Sequence, residues 1–283
     1  MNPRYKIYII SKGRAKNCLT ARELSKMNVP YKIVVEPQEE KEYGDIWGYE
    51  NLIITPFSNL GLGSIPVRNF VWDLSIKNGE KRHWLLDDNI EGFHRLNRNI
   101  KPKVTDGAIF RAIEDFVERY KNVPFAGMNY YSFCKTTDAV PPFYLNTRIY
   151  SCTLIDNSLN FRWRGKYNED TDLSLRILKA GYCTILFNAF LIGKVTTQRM
   201  KGGNTDDIYA NTNNRREFAE SLQKQHPDVV KVVWKFNRWH HSVNYKPFKK
   251  NKLIRVDNYD EIVKQGINEY GMKLIDKKDL KKI

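Results

Sequence analysis

From Tyr5 to Met128, short apolar runs alternate with stretches of helical periodicity, and this alternation restricts the chain to an α/β architecture. Residues 5–10 read as a strand. Residues 19–27 read as a helix that stops before Pro30, and 31–35 and 52–55 as further strands. Residues 67–76 carry apolar side chains at 67, 70, 71 and 74, the spacing of an amphipathic helix, and Asn78-Gly79 closes it. The strand 83–86 then runs directly into Asp87-Asp88, and a helix over 105–120 precedes a strand over 125–128. Such units imply a mixed, mostly parallel, Rossmann-like sheet flanked by helices, with ligands beyond the carboxyl ends of the strands. The loops 11–14, 36–43 and 87–91 each follow a strand and are expected to open onto one face.

Later segments are less regular. Residues 130–160, rich in aromatic and β-branched side chains, read as irregular hairpins. A helix is expected over 170–180, closed by Gly181, then a strand over 184–187, a polar loop at 201–204 and a helix over 213–225. The final thirty residues suggest a strand at 253–256, a short helix and a lysine-rich end.

The 283 residues suffice for one α/β domain, and their charge balance of 47 basic against 32 acidic residues, net +15, favours a polyanionic partner. The excess is uneven. No acid lies between Asp228 and Asp257, where eight basic residues interleave with Trp234, Phe236, Trp239, Tyr245 and Phe248. Basic side chains draw phosphates and aromatic faces stack on unpaired bases, so Lys231, Trp234, Lys235, Arg238, Trp239, Lys249 and Lys250 are candidate nucleic-acid contacts. The division expected is a catalytic domain over 1–228 and a basic aromatic extension over 229–283, with a soft boundary. No run approaches the roughly 18 apolar residues of a membrane helix, and the first apolar run is too short for a signal peptide, so a cytoplasmic protein without a membrane partner is expected. Cys18, Cys134, Cys152 and Cys183 are scattered and read as reduced, buried thiols.

Four constellations can carry chemistry. In Trp84-Leu85-Leu86-Asp87-Asp88-Asn89-Ile90 a strand delivers two carboxylates and an amide at its end, an oxygen set that suits Mg2+ or Mn2+ on a diphosphate, although by itself the pattern is more commonly a solvated turn or an Asx helix cap. Glu169, Asp170 and Asp172 crowd one helix start. The dipole explains one acid there, and a general base for an acceptor hydroxyl explains the cluster. Arg14 lies in the first strand–helix turn, with Arg68-Asn69 opening the helix before the Asp-Asp strand, and both suit phosphate. Glu36, at a strand end, can accept from a base N–H, and Tyr43 can stack on a base or pack on its loop.

Together these pieces resemble a GT-A glycosyltransferase, and more closely the TET-associated glycosyltransferases of bacteriophages. The resemblance rests on Ile10-Ser11-Lys12-Gly13-Arg14, Val34-Val35-Glu36-Pro37, Val67-Arg68-Asn69, Trp84 to Ile90, and Asn168-Glu169-Asp170-Thr171-Asp172-Leu173, over roughly residues 5–205. It implies a nucleotide-sugar donor, expected to be UDP-linked, and a hydroxymethylated pyrimidine in DNA as acceptor. It implies that Arg14, Glu36, Arg68 and Asp87 hold the nucleotide; Ser11, Tyr43, Asn69 and Lys201 are expected beside them. Asp88 and Asn89 would face a Mg2+ or Mn2+ ion, and Asp170, flanked by Glu169 and Asp172, would act on the acceptor. One departure is that Asn89 stands where the D-x-D pattern ends in a carboxylate, and a neutral amide oxygen is the weaker ligand. Two rivals stand beside this reading: a transferase acting on a glycan or protein, and a catalytically silent nucleic-acid-binding module.

Overall fold

Residues 1–97, 100–165, 167–195 and 214–263 are described by a computed structural model. Its strands are β1 (Ile7–Ile10), β2 (Lys32–Val35), β3 (Leu52–Ile54), β4 (Arg82–Asp87), β5 (Ile90–Arg95), β6 (Phe125–Tyr130), β7 (Phe143–Leu145), β8 (Cys152–Asp156), β9 (Thr184–Lys194), β10 (Val230–Lys235) and β11 (Arg238–Val243). Its helices are α1 (Leu19–Lys26), α2 (Glu40–Trp47), α3 (Ile65–Lys77), α4 (Ala108–Val117), α5 (Glu169–Lys179), α6 (Asn214–Gln225) and α7 (Tyr259–Ile262). The main sheet runs β3-β2-β1-β4-β8-β6-β9-β5, with β7 also on β9. Strands β1, β2, β3, β4, β6 and β9 run one way, while β5, β7 and β8 run the other.

Side-chain alternation divides the core into two layers. Ile7, Ile9, Ile33, Val35, Trp84 and Leu86 pack with α1, α2 and α4 on one face. Tyr8, Ile10, Val34 and Leu85 pack with Val71 and Trp72 of α3 and Leu173 and Ile177 of α5 on the other. The mostly parallel, helix-flanked sheet expected from the alternation is therefore present.

Several local expectations change. The acidic stretch after Val35, expected as a loop, forms a 3-10 turn at Pro37–Glu39 followed by α2. Pro37 needs no donor at a helix start, and Glu40 and Glu42 suit the positive end of the dipole. Within 130–160, β8 is a fully central strand between β4 and β6. The strand begun at Thr184 continues to Lys194 because the polar residue that interrupts its apolar run, Asn188, is buried and satisfied by Asn129 and Pro141. The basic tract folds as an antiparallel hairpin, β10–β11. Residues 253–256 form no strand beyond the single bridge of Arg255 to Tyr120, and Ile254 and Val256 hydrogen-bond to Lys121, Asn122 and Arg119. The polar loop at 201–204 and the lysine-rich end lie outside the described residues.

The hairpin is not a loose appendage. Leu175 and Leu178 of α5, Leu222 of α6, and Val229, Val230 and Phe248 form one small core across the expected boundary at 228/229. Asp172 is the polar joint beside it. Its fully buried carboxylate meets His226 Nε2 at 2.9 Å, Arg164 Nη2 at 3.0 Å and Arg176 Nε at 2.8 Å. Asp172, expected with the catalytic acids, therefore ties α5 to the end of α6, because its side chain turns into the body and not toward the rim. Among the described residues, the four cysteines are buried and free, and no helix is long and apolar enough to cross a membrane.

Burial opposes the charge on Asp172, but His226, Arg164 and Arg176 outweigh it and hold the carboxyl below the usual range. A depressed carboxyl contributes stability above its unfolded value of about 4 and loses it as pH falls through the folded value. Asp172→Ala is expected to cost about 3–5 kcal/mol in urea unfolding at pH 7. The gap from the wild type should narrow below about pH 4.

Candidate active site

Parallel register sets the site. Ile10 lies beside Val34 and Asp87, so Ser11, Glu36 and the Asp87-Asp88 pair emerge together at the carboxyl rim of β1, β2 and β4. The ends of β6 and β9, Tyr130 and Lys194, share this rim, as does Ser151 just before β8. Thr20 in α1 clamps the turn after β4. Its hydroxyl donates to Asp87 O at 2.6 Å and accepts from Ile90 N at 3.0 Å, and its backbone N donates to Asp88 O at 3.1 Å.

Three cations converge on the two carboxylates. Arg68 Nη2 donates to Asp87 Oδ1 at 2.9 Å and Lys194 Nζ to Asp87 Oδ2 at 2.7 Å. Arg14 Nη1 donates to Asp88 Oδ1 at 2.7 Å, and Ser11 Oγ to Asp88 Oδ2 at 2.7 Å. Burial opposes ionisation of Asp87, yet Lys194 and Arg68 together hold its carboxyl far below the usual range. Asp88 shifts the other way: its burial outweighs Arg14 and Ser11 and raises it. Lys194 also donates to Ser151 Oγ at 2.6 Å, beside Tyr130 OH at 2.7 Å from the same oxygen.

Arg68 joins the two acidic motifs. Its Nε lies 3.6 Å from Glu169 Oε1 and 3.1 Å from Ser64 Oγ, which itself donates to Glu169 at 3.0 Å. Its guanidinium also sits 4.8 Å from the Trp163 ring centroid. Burial and the neighbouring Asp170 charge raise the Glu169 carboxyl, against Arg68. Asp170 Oδ1 accepts from Thr171 N at 2.7 Å and Thr171 Oγ1 at 3.3 Å. The Asp170 charge reaches Tyr130, which also feels Asp87, and Arg148, Tyr150, His241 and Tyr245. Asp87, Asp88, Arg14 and Arg68 thus meet at one rim, and Arg68 carries the contact on to Glu169, the neighbour of Asp170.

Other expected residues support this rim from behind. Tyr43 is fully buried, its OH 2.7 Å from Ser11 Oγ and accepting from Arg14 N at 3.0 Å, so it props the first loop and has no face for stacking. Asn69 exchanges two 2.9 Å hydrogen bonds with the Trp163 backbone and thereby seats the ring under Arg68. Glu36 accepts from Asn59 N at 3.0 Å and Gln38 Nε2 at 2.6 Å and pairs with Lys12 at 3.2 Å, which fixes it at the rim. Lys201 lies outside the described residues. On the hairpin, Lys231, Trp234, Lys235 and Arg238 are exposed and Trp239 is half-buried, while Lys249 and Lys250 are exposed on the 3-10 turn that Phe248 anchors.

A divalent ion does not fit the residues expected to hold it. Asp88 is only 4% exposed, and both its oxygens are engaged by Arg14 and Ser11. Asp87 is engaged by Arg68 and Lys194. The buried Asn89 Oδ1 has no hydrogen-bond partner, and one neutral oxygen is a poor set for a hard cation. Among the described residues no three His, Cys, Asp or Glu side chains are grouped to hold a metal.

Sequence reasoning missed Lys194, Ser151, Tyr130 and Arg148. Lys194 had one usable signal, a basic residue just past the apolar run Leu191-Ile192, where a parallel strand would end at the rim.

Acids paired with resident cations at the rim of an α/β sheet, joined through Arg68 to a second acidic pair, are an arrangement that can receive an anionic donor. The chain belongs to the TET-associated glycosyltransferase family, whose model matches residues 5–203. It is a nucleotide-sugar-dependent glycosyltransferase. No curated protein sequence matches it significantly. Among solved structures it is similar to a nucleotide-diphospho-sugar transferase from Desulfovibrio desulfuricans, at 8% identity and TM-score 0.40 over 65% of this chain and 80% of that one. It is also similar to a mannose-1-phosphate geranyltransferase from Thermus thermophilus, at 11% identity and TM-score 0.31 over 67% and 57%. These likenesses are distant, and the assignment rests on the family model.

Removing Lys194 should release Asp87. In Lys194→Met the Asp87 carboxyl is expected to titrate higher than in the wild type by carboxyl-carbon NMR. An unmoved titration would show that Arg68 alone sets it.

Proposed function

We propose that this transferase moves a sugar from a UDP-sugar to the hydroxyl of a hydroxymethylated pyrimidine in DNA, without a divalent metal. The supporting observation is the Arg68 guanidinium, which touches the donor-side carboxylate Asp87 at 2.9 Å and the acceptor-side Glu169 at 3.6 Å. A donor diphosphate lying along Arg14, Arg68 and Lys194 brings its sugar to Asp170. Glu36 and the Asn59 backbone edge the rim where the nucleotide base would rest.

The reaction is a direct displacement. The acceptor hydroxyl oxygen bonds to the anomeric carbon as the bond from that carbon to the phosphate oxygen breaks. UDP departs with the bonding pair, and Asp170 takes the hydroxyl proton. Arg14, Arg68 and Lys194 meet the charge that builds on the leaving oxygens. Glu169, bonded by Ser64 and Arg68, positions the guanidinium.

The acceptor assignment draws on charge. The half-buried His241 of the acid-free hairpin β10–β11 is within electrostatic reach of Asp170 and Arg148. Cationic strands beside a general base suit a polyanion better than a neutral glycan.

Asp170→Asn is expected to lower transfer by about 10^2- to 10^4-fold while UDP binding stays close to normal. Incubating hydroxymethylcytosine DNA with UDP-sugars should yield a glycosylated nucleoside by mass spectrometry. Turnover on a saccharide acceptor with none on DNA would replace this reading with the glycan rival.

A further inference from the structure

The hairpin β10–β11 ends in a two-residue turn, Phe236-Asn237, with φ of 51° and 55°. Turns of this type are normally made by Asn-Gly or Asp-Gly, because both central residues need positive φ. A phenylalanine held in the left-handed region is uncommon, and local backbone preference does not explain it. Packing does not explain it either, since Phe236 is 85% exposed, the largest exposure among the large apolar side chains described. Lys235 and Arg238 pair directly below the turn, and Trp234 and Trp239 pair on the next rung with ring centroids 5.2 Å apart. On the Trp face, the following rung is Val232 with His241, whose surroundings include Asp170. From Val232, the partner of His241, to Phe236 is four residues, about 13 Å along a strand. One ribbon therefore carries an apolar ring on a cationic tip, well out from the rung that holds His241.

We propose that Phe236 is a wedge that enters the base stack of duplex DNA and fills the space left by the target pyrimidine while that base sits at Asp170. The inference rests on the DNA-acceptor reading above and adds the means of reaching a base inside a helix. A stacked pyrimidine cannot present its 5-substituent to a buried cleft, and apolar side chains inserted at a base step are a general means of holding the stack open. The occupant is fixed by charge. Lys231, Lys235 and Arg238 lie on the hairpin with no acid between Asp228 and Asp257. Arg216 of the adjoining helix lies 5.1 Å from the Trp239 ring centroid. Burial, with Arg238, Arg215 and Lys235, also depresses the His240 imidazole, as expected of an electropositive face.

The test compares transfer to one hydroxymethylcytosine oligonucleotide as duplex and as single strand, for wild type, Phe236→Gly and Phe236→Leu. Glycine favours the observed turn, so the first variant keeps the hairpin. In Phe236→Gly the duplex-to-single-strand ratio of kcat/KM is expected to fall about 10- to 100-fold, the range given by loss of one base–aromatic stack. Phe236→Leu should restore most of it. With 2-aminopurine beside the target base, the wild type should raise the emission of the duplex and Phe236→Gly should not. An unchanged ratio with unchanged emission overturns the wedge and leaves the DNA acceptor standing. Absence of transfer by the wild type to either form overturns the acceptor reading and the wedge with it.

Discussion

Two adjacent carboxylates at the end of a buried strand cannot remain charged without compensation, and the rest of the site follows from how this chain supplies it. Asp87 and Asp88 carry two negative charges where the sheet meets solvent. Arg14, Arg68 and Lys194 come from three separate segments to meet them. Three cations thus meet these two anions, and the proposed donor diphosphate would lie along the same side chains. The same pairing engages Asp87 and Asp88 where the expected metal would need them.

Topology makes this convergence possible. Because β1, β2 and β4 are parallel and in register, their following loops emerge at one edge. Because β8 is antiparallel to β4, its start brings Ser151 to that same edge, and Asp87 N bonds Ser151 O at 2.9 Å. β9 then runs the full height of the sheet to deliver Lys194. Helix α5 presents Asp170 to the cleft while Asp172, two residues on, turns inward to His226. One helical turn thus holds the acid proposed for chemistry and an acid for structure.

Much of this was legible in the sequence. The periodicity of residues 5–86 marked out the parallel half of the sheet, and the apolar strand running into Asp87-Asp88 located its rim. The cationic pairing of those acids was legible only in part, through Arg14 and Arg68. Lys194 lies 107 residues from Asp87, and no local pattern announces such a pair. Tyr43 was open to stacking on a base or to packing on its loop because a ring after an acidic loop carries no sign of burial, and Ser11 and the Arg14 amide draw it inside. Asp172 looked like Asp170 because spacing alone does not reveal which face of a first turn meets solvent. The hairpin was hidden by its lysines, which mask the alternation of Val230, Val232 and Trp234.

The central claim is that resident side chains, Lys194 foremost, take the place of a metal at the donor diphosphate. Calorimetric titration with UDP, in EDTA and again in Mn2+, for wild type and Lys194→Met, tests it most directly. The account expects wild-type affinity to be equal in both buffers and the variant to lose roughly 10- to 100-fold, the worth of a charged hydrogen bond. Binding that appears only with Mn2+ and is indifferent to Lys194 would contradict it.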